Sequence, residues 1–129
     1  MALDFGSART GVAVSDPTGL IARPLCVVQR AASGDGLAEL ERLVIDEEVE
    51  TVVVGHPLTL RGDRGEQARA SERFAQTLRE RLDVPVVLFD ERFTTDLAQQ
   101  APTSDAPLDA RAAAHLLSSY LAWSSAAPA

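Results

Sequence analysis

The sequence predicts an α/β fold with a five-stranded mixed sheet, made of a three-strand meander plus two parallel strands, and helices on both faces. Two observations predict it. Three apolar segments at the start are separated only by turn-forming residues, which indicates antiparallel neighbours. From there on, apolar strands alternate with helical segments, which is typical of parallel strands. This order of elements is that of the ribonuclease H-like fold.

The three strands of the meander are predicted at residues 1–5, 11–15 and about 20–28. Turn signals separate them at residues 6–9 and 16–19, where glycine, proline and aspartate cluster. An acid, Asp4, lies near the C-terminal end of the first strand, between apolar neighbours. Because a carboxylate in such a strand is costly to bury without a partner, Asp4 is the first candidate for a functional site.

The second half of the chain supplies two further strands and the helices. Short apolar runs at residues 51–55 and 84–90 predict strands buried on both faces. Apolar residues at helical spacing predict helices over about 37–44, 70–82 and 109–122. A short helical segment is expected near Thr95.

Composition limits the class of protein. The 129 residues are 46% apolar, and we expect a single domain over residues 1–123, with 124–129 as a frayed tail. No apolar run approaches the ~20 residues that span a bilayer, so no membrane association is expected. A lone Cys26 and the lack of a signal peptide suit the cytoplasm. The net charge of −7 argues against a protein that coats nucleic acid, but not against a local basic face.

Four carboxylates are predicted to meet at one edge of the sheet. Asp4 ends the first strand, Asp90 and Glu91 end the last, and Asp109 begins the final helix. Two carboxylates about 4 Å apart repel by about 4 kcal/mol at an effective dielectric of 20, so the cluster needs raised pKa values or cations. Oxygen ligands suit Mg²⁺ or Mn²⁺, and a pair of such ions supports phosphoryl transfer. The sequence therefore predicts a Mg²⁺ or Mn²⁺ site that holds two ions.

Each carboxylate except Asp4 also has a plain structural explanation. Asp109 is well placed to cap the last helix, and Asp90 to cap a turn through Thr94 or Thr95. Glu91 and Arg92 could form an exposed pair of little energetic weight. Asp4 interrupts an apolar strand, and taken together the four acids favour the metal site.

Arginines follow the same strand ends and predict contacts to nucleic-acid phosphates. They are Arg9, Arg61, Arg64 and Arg92. Gly6 and Ser7 form a turn whose backbone N–H groups could approach a phosphate. The alternative for Arg61 and Arg64 is that they belong to a solvated loop.

Several motifs in the same order resemble the YqgF/RuvX family of pre-16S rRNA nucleases, described earlier as Holliday junction resolvases. These motifs are residues 3–16, 55–58, 90–95 and 109–114. The resemblance covers residues 3–122 and implies a ribonuclease H-like fold and a cytoplasmic, divalent-metal-dependent nuclease that trims the 5′ end of small-subunit rRNA. It implies acidic site residues at Asp4, Glu91 and Asp109, with Asp90 as their neighbour.

The chain departs from the family pattern at several positions. Residues 101–108 lack the basic side chains that are typical before the last aspartate. His56 replaces a residue that is usually apolar, and Ala112 stands where some bacterial resolvases carry a fourth acid.

Four functions are compatible with these patterns. The first is metal-dependent cleavage of rRNA, with ribosomal particles as further partners. The second is cleavage of branched DNA such as a Holliday junction, which a homodimer would favour over a monomer. A non-catalytic RNA-binding factor for ribosome assembly is the alternative from another class. ATP binding is disfavoured, because 129 residues supply one of the two lobes that actin-like kinases need.

Overall fold

The structure is a computed structural model and describes residues 1–94 and 106–126. The strands, in chain order, are β1 (Ala2–Asp4), β2 (Arg9–Ser15), β3 (Ala22–Gln29), β4 (Val52–His56) and β5 (Val86–Asp90). The helices are α1 (Gly34–Asp46), α2 (Glu66–Arg81) and α3 (Leu108–Ala126), and a single 3-10 turn (Glu91–Phe93) follows β5.

The five strands form one sheet in the order β3-β2-β1-β4-β5. β2 is antiparallel to both β1 and β3, while β4 is parallel to β1 and to β5. The predicted meander plus two parallel strands is therefore confirmed. The third strand starts later than predicted because the Asp16 carboxylate accepts hydrogen bonds from the backbone N–H groups of Leu20 and Ile21, at 3.0 and 2.9 Å. These bonds hold both residues in the turn.

Helices cover both faces of the sheet, as predicted. Side chains alternate between the two faces along each strand. On one face, Leu3 and Val54 pack against residues of α1 and α2 such as Leu40 and Phe74. On the other face, α3 covers a second core, whose buried members are Ala2, Ala13, Val53, Phe89, Ala113, Leu116 and Leu117. Since burying one large apolar side chain contributes about 1.5–3 kcal/mol, both cores stabilise the sheet.

The last helix is longer than the sequence predicted. α3 continues through Ala126, so Ser124 and Ser125 are helical rather than part of a frayed tail. The Trp123 ring lies 5.7 Å from that of Phe89, a contact that gives the last turns of the helix a packing partner. Residues 127–129, and the short helical segment predicted near Thr95, lie outside the described residues. None of the helices described is long and apolar enough to cross a membrane.

The start of α3 lies directly against β2 at Gly11. A Cβ atom on Gly11 would lie 1.8 Å from the backbone oxygen of Asp109 and 3.0 Å from the backbone nitrogen of Ala110. Gly11 also pairs with Asp4 across the β1–β2 ladder. Glycine at this position therefore lets the first turn of α3 approach the end of β1.

We expect Gly11→Ala to destabilise the protein by roughly 1–3 kcal/mol or more, because backbone atoms, unlike a side chain, cannot rotate away from the added methyl group. The matched control is Gly34→Ala, since a Cβ atom there meets no atom within 4 Å. We expect that variant to be neutral or slightly stabilising. Denaturant unfolding of the two variants measures the difference, and equal midpoints would contradict the close approach.

Candidate metal and phosphate site

Asp4 ends β1 on the face of the sheet that α3 covers. Its chain neighbours Leu3 and Phe5 both pack into the core on the opposite face, so the alternation of the strand turns Asp4 towards α3. The side chain is half-buried. No described residue donates a hydrogen bond to its carboxylate.

Glu91 reaches the same face from the end of β5. Its carboxylate lies over Gly55 of β4: a Cβ atom on Gly55 would lie 3.2 Å from Glu91 Oε1 and 3.2 Å from Leu116 Cδ2 of α3. The absence of a side chain at position 55 thus leaves the space that the Glu91 carboxylate occupies. Among the residues described, none donates a hydrogen bond to this carboxylate either.

Asp109 reaches the site through the contact of α3 with Gly11. It is the second residue of the helix, within its first turn. Its Oδ2 forms an ion pair with Arg9 Nε at 3.0 Å, and the two side chains are 36% and 63% exposed. Since Gly11 pairs with Asp4, this contact brings Asp109 close to Asp4. The negative charge of Asp109 is balanced by Arg9.

Electrostatic coupling connects these three carboxylates through Asp4. Burial, followed by the charge of Asp109, raises the pKa of Asp4. Burial, followed by the charge of Asp4, raises the pKa of Glu91, although nearby His56 acts in the opposite direction. The ionised forms of Asp4 and Glu91 are thus disfavoured in the protein alone. Two such oxygen ligands, neither of which accepts a hydrogen bond from a described residue, fit the ligand preference of a hard divalent cation.

The side chains do not form a complete metal site as they stand. The described residues contain no group of three or more histidine, cysteine, aspartate and glutamate side chains placed to hold an ion. Asp109, the third carboxylate on this face, is engaged by Arg9 instead. Asp4, Glu91 and Asp109 thus lie on one face of the sheet and interact electrostatically, but they do not form a preorganised metal site.

Asp90 lies on the opposite face of the sheet from Asp4 and Glu91, although its charge contributes to raising the pKa of Glu91. It pairs in register with His56 and lies on the α2 side of the sheet, because adjacent strand residues point to opposite faces. The Arg92 backbone N–H donates to Asp90 Oδ1 at 2.9 Å, and Arg92 Nη2 donates to Oδ2 at 2.6 Å. The hydrogen bonds from Arg92 lower the pKa of Asp90. Asp90 therefore caps the 3-10 turn through Arg92 and not through Thr94, while Thr95 lies outside the described residues. Arg92 pairs with Asp90, not with Glu91 as the alternative explanation had it.

Three of the four predicted phosphate-binding arginines are ion-paired. Arg9 pairs with Asp109, Arg92 with Asp90 and Arg64 with Glu72. Arg61 is exposed in the loop after β4 and has no ion pair with any residue in 1–94 or 106–126. The rim therefore carries less uncompensated positive charge than the sequence suggests.

A hydrogen-bond network on the α2 side of the sheet was not predicted from the sequence. His56 Nε2 lies 2.7 Å from Glu72 Oε2, and Arg64 Nε donates to the same oxygen at 2.8 Å. The hydrogen bonds from Arg64 and then His56 lower the pKa of Glu72 to about 2. This network ties the loop after β4 to α2. Nothing local in the sequence marks Glu72, since its partners are 8 and 16 residues away.

The turn of Gly6 and Ser7 lies between β1 and β2, beside Asp4. A Cβ atom on Gly6 would lie 2.5 Å from the carbonyl oxygen of Arg9, so the tight turn requires glycine. Ser7 is exposed. The Gly6 backbone N–H donates to the Thr10 hydroxyl at 3.4 Å, so it is not free to meet a phosphate as the sequence predicted. What the turn offers beside Arg9 is the exposed Ser7.

Comparison with known proteins identifies the family. The family model RuvX, described as a Holliday junction resolvase, matches residues 1–123. A Chloroflexus aurantiacus protein named "Putative pre-16S rRNA nuclease" is 47% identical over 100 residues, which are 78% of this chain and 65% of the relative's length. This chain thus spans just under two thirds of that relative.

Two relatives with the same name match over more of their length. The Geobacillus kaustophilus protein is 42% identical over 131 residues, covering 94% of this chain and 95% of the relative. The Desulfitobacterium hafniense protein is 40% identical over 129 residues, covering 94% and 89%. Together with the family model and the observed sheet order, these matches show that the chain belongs to the RuvX family, whose fold is ribonuclease H-like.

Proposed function

We propose that this chain is a divalent-metal-dependent nuclease that hydrolyses phosphodiester bonds, and that its active site lies at the C-terminal end of β1. The observation that carries the proposal is the pair Asp4 and Glu91. Both are half-buried on one face, both have raised pKa values, and neither accepts a hydrogen bond from the part of the chain that the structure describes. A cation would relieve their repulsion and the cost of their burial. Family membership and the names of the relatives support nuclease activity.

Asp4, Glu91 and Asp109 are the residues that would hold Mg²⁺ or Mn²⁺, with two ions expected. Bound ions of this kind activate water and stabilise the leaving oxygen of a phosphodiester. The chain itself contributes position: Gly55 leaves room for Glu91, and Gly11 lets Asp109 approach Asp4. Asp90 lies on the other face and would act through Arg92 rather than as a ligand.

The substrate backbone would lie along the Gly6–Ser7 turn and the arginines of the rim. Arg9 and Arg61 are the best placed, because one borders the turn and the other has no ion pair with a described residue. Arginine and backbone N–H contacts position phosphates without reading sequence. The relatives' names favour pre-16S rRNA as the substrate. The role we propose is maturation of its 5′ end in the cytoplasm, on ribosomal particles.

Two alternative functions each have an observation in their favour. The family model's description favours cleavage of a Holliday junction, for which a homodimer would suit two equivalent strands better than a monomer. Because the described residues bring no three metal-binding side chains into position around one ion, an RNA-binding assembly factor that does not cleave is the second alternative. One cleavage assay separates all three functions.

In that assay, the protein is incubated with labelled pre-16S rRNA precursor or a four-way DNA junction, in Mg²⁺ or Mn²⁺. We expect cleavage of the RNA, and a loss of at least about 100-fold in Asp4→Asn and Glu91→Gln, because a metal-ion site lowers the barrier by several kcal/mol. Glu50→Gln is the matched control, since Glu50 is an exposed acid before β4, at the opposite end of the parallel strands.

Persistent cleavage by Asp4→Asn would refute the metal mechanism. Cleavage of the junction alone would favour the resolvase. RNA binding by the wild type without cleavage in either metal would favour the assembly factor.

The raised pKa of Asp4 predicts a trade-off between stability and metal binding. In EDTA at neutral pH, Asp4→Asn should melt at a higher temperature than the wild type, because ionised Asp4 is less favourable in the folded than in the unfolded state. This destabilisation is fully present above the folded-state pKa and disappears below the ordinary aspartate value of about 4, where the two proteins should converge.

Mn²⁺ should reverse the order of the two proteins. A ligand that binds only the folded state raises the melting temperature, so Mn²⁺ should stabilise the wild type and leave Asp4→Asn unchanged. Thermal unfolding followed by circular dichroism measures both effects. A wild type that melts above Asp4→Asn in EDTA would show that Asp4 is satisfied within the protein and needs no cation.

A further inference from the structure

We propose that Arg9 is shared between Asp109 and the substrate, so that metal binding beside Asp4 releases Arg9 to bind a phosphate of the nucleic-acid backbone. The inference rests on the proposed function, because it requires a cation at Asp4. What is new is an energetic coupling between the proposed metal site and the proposed phosphate site.

The backbone of Asp109 is held in place, whereas its carboxylate can move from one interaction partner to another. The backbone of Asp109 is packed against β2, where even one added Cβ atom on Gly11 would lie 1.8 Å from its carbonyl oxygen. Its carboxylate interacts electrostatically with Asp4 and forms the ion pair with Arg9 Nε at 3.0 Å. Asp109 thus stands between the proposed metal position and the arginine.

A divalent cation and Arg9 compete for the same negative charge. A cation held by Asp4 would attract the Asp109 carboxylate and repel the Arg9 guanidinium, and both forces weaken the ion pair. The pair is partly exposed, so its own contribution to stability is small and the exchange meets little resistance.

The released arginine would border the turn at which the proposed function places a phosphate. Arg9 follows the Gly6–Ser7 turn, and its side chain is 63% exposed. The guanidinium can therefore reach a phosphate beside the turn by rotation of its own side chain. Guanidinium groups pair with phosphate through two parallel hydrogen bonds, which suits this destination.

Arg9 differs in this respect from the other paired arginines of the rim. Arg92 and Arg64 pair with Asp90 and Glu72, which lie on the α2 side of the sheet. Neither carboxylate is one of the three proposed metal ligands, although the charge of Asp90 contributes to raising the pKa of Glu91. Arg9 is thus the one described rim arginine whose partner is itself a proposed metal ligand.

The consequence is reciprocal coupling between two ligands. Metal should increase the affinity for nucleic acid, and nucleic acid should increase the affinity for metal by the same factor, as linkage requires. Without metal, Arg9 should contribute little to nucleic-acid binding.

The test compares Arg9→Gln with Arg23→Gln in the full chain. Arg23 is a matched control because it is also an exposed arginine in an ion pair, 3.4 Å from Glu47, but on β3 away from the site. Isothermal titration with Mn²⁺ alone measures metal affinity. Fluorescence anisotropy of a labelled single-stranded RNA, in EDTA and in Mn²⁺, measures the coupling, with intact RNA verified on a gel.

We expect Arg9→Gln to bind Mn²⁺ at least about 3-fold more tightly than the wild type, and Arg23→Gln to match the wild type. In EDTA, Arg9→Gln should bind RNA as the wild type does. In Mn²⁺, the wild type should gain at least about 5-fold more RNA affinity than Arg9→Gln, which is within the range of typical coupling free energies. Arg9→Lys should restore part of this gain, since it keeps the charge but not the paired donors.

The outcomes distinguish this inference from the proposed function. Equal Mn²⁺ affinities of Arg9→Gln and Arg23→Gln, or an equal gain in RNA affinity for Arg9→Gln and the wild type, would overturn the coupling and leave the nuclease proposal standing. A wild type that binds no Mn²⁺ would overturn both.

Discussion

The close approach of α3 to β2 at Gly11 is the constraint on which the site depends. Since Gly11 is paired with Asp4 in the sheet, the first turn of the helix carries Asp109 to the end of β1. Burial and this neighbouring charge disfavour the ionised form of Asp4. Arg9 pairs with Asp109 and not with Asp4 or Glu91, and no described residue donates a hydrogen bond to either of those carboxylates. Within the described residues, the protein therefore leaves the burial and mutual repulsion of these two carboxylates uncompensated.

Strand alternation divides the rim into two halves with different chemistry. On the α3 side, Asp4 and Glu91 lack hydrogen-bond donors within residues 1–94 and 106–126. On the α2 side, Asp90 is satisfied by Arg92, and Glu72 is satisfied by Arg64 and His56. A network whose polar groups are all hydrogen-bonded is rigid, whereas carboxylates that lack hydrogen-bond donors are stabilised by a bound cation. The α2 side thus stabilises the rim, and the α3 side carries the carboxylates of the proposed metal site.

The fold was predictable from the sequence because its signals are local. Turn residues marked the meander, and apolar runs marked β4 and β5. The common edge of Asp4 and Glu91 followed from the direction of parallel strands. The separation of Asp90 from Glu91 was also within reach, since adjacent strand residues must face opposite ways. The Glu72 network and the pairing of Arg9 with Asp109 were not, because they depend on how helices far along the chain are placed on the sheet.

The most direct test of the proposed metal site is an anomalous difference map from a crystal of the Mn²⁺-bound protein. We expect Mn²⁺ density between the carboxylates of Asp4 and Glu91, with the Asp109 side chain turned from Arg9 towards the ion. A map in which Mn²⁺ is bound elsewhere and Asp4 and Glu91 coordinate nothing would contradict the proposed site.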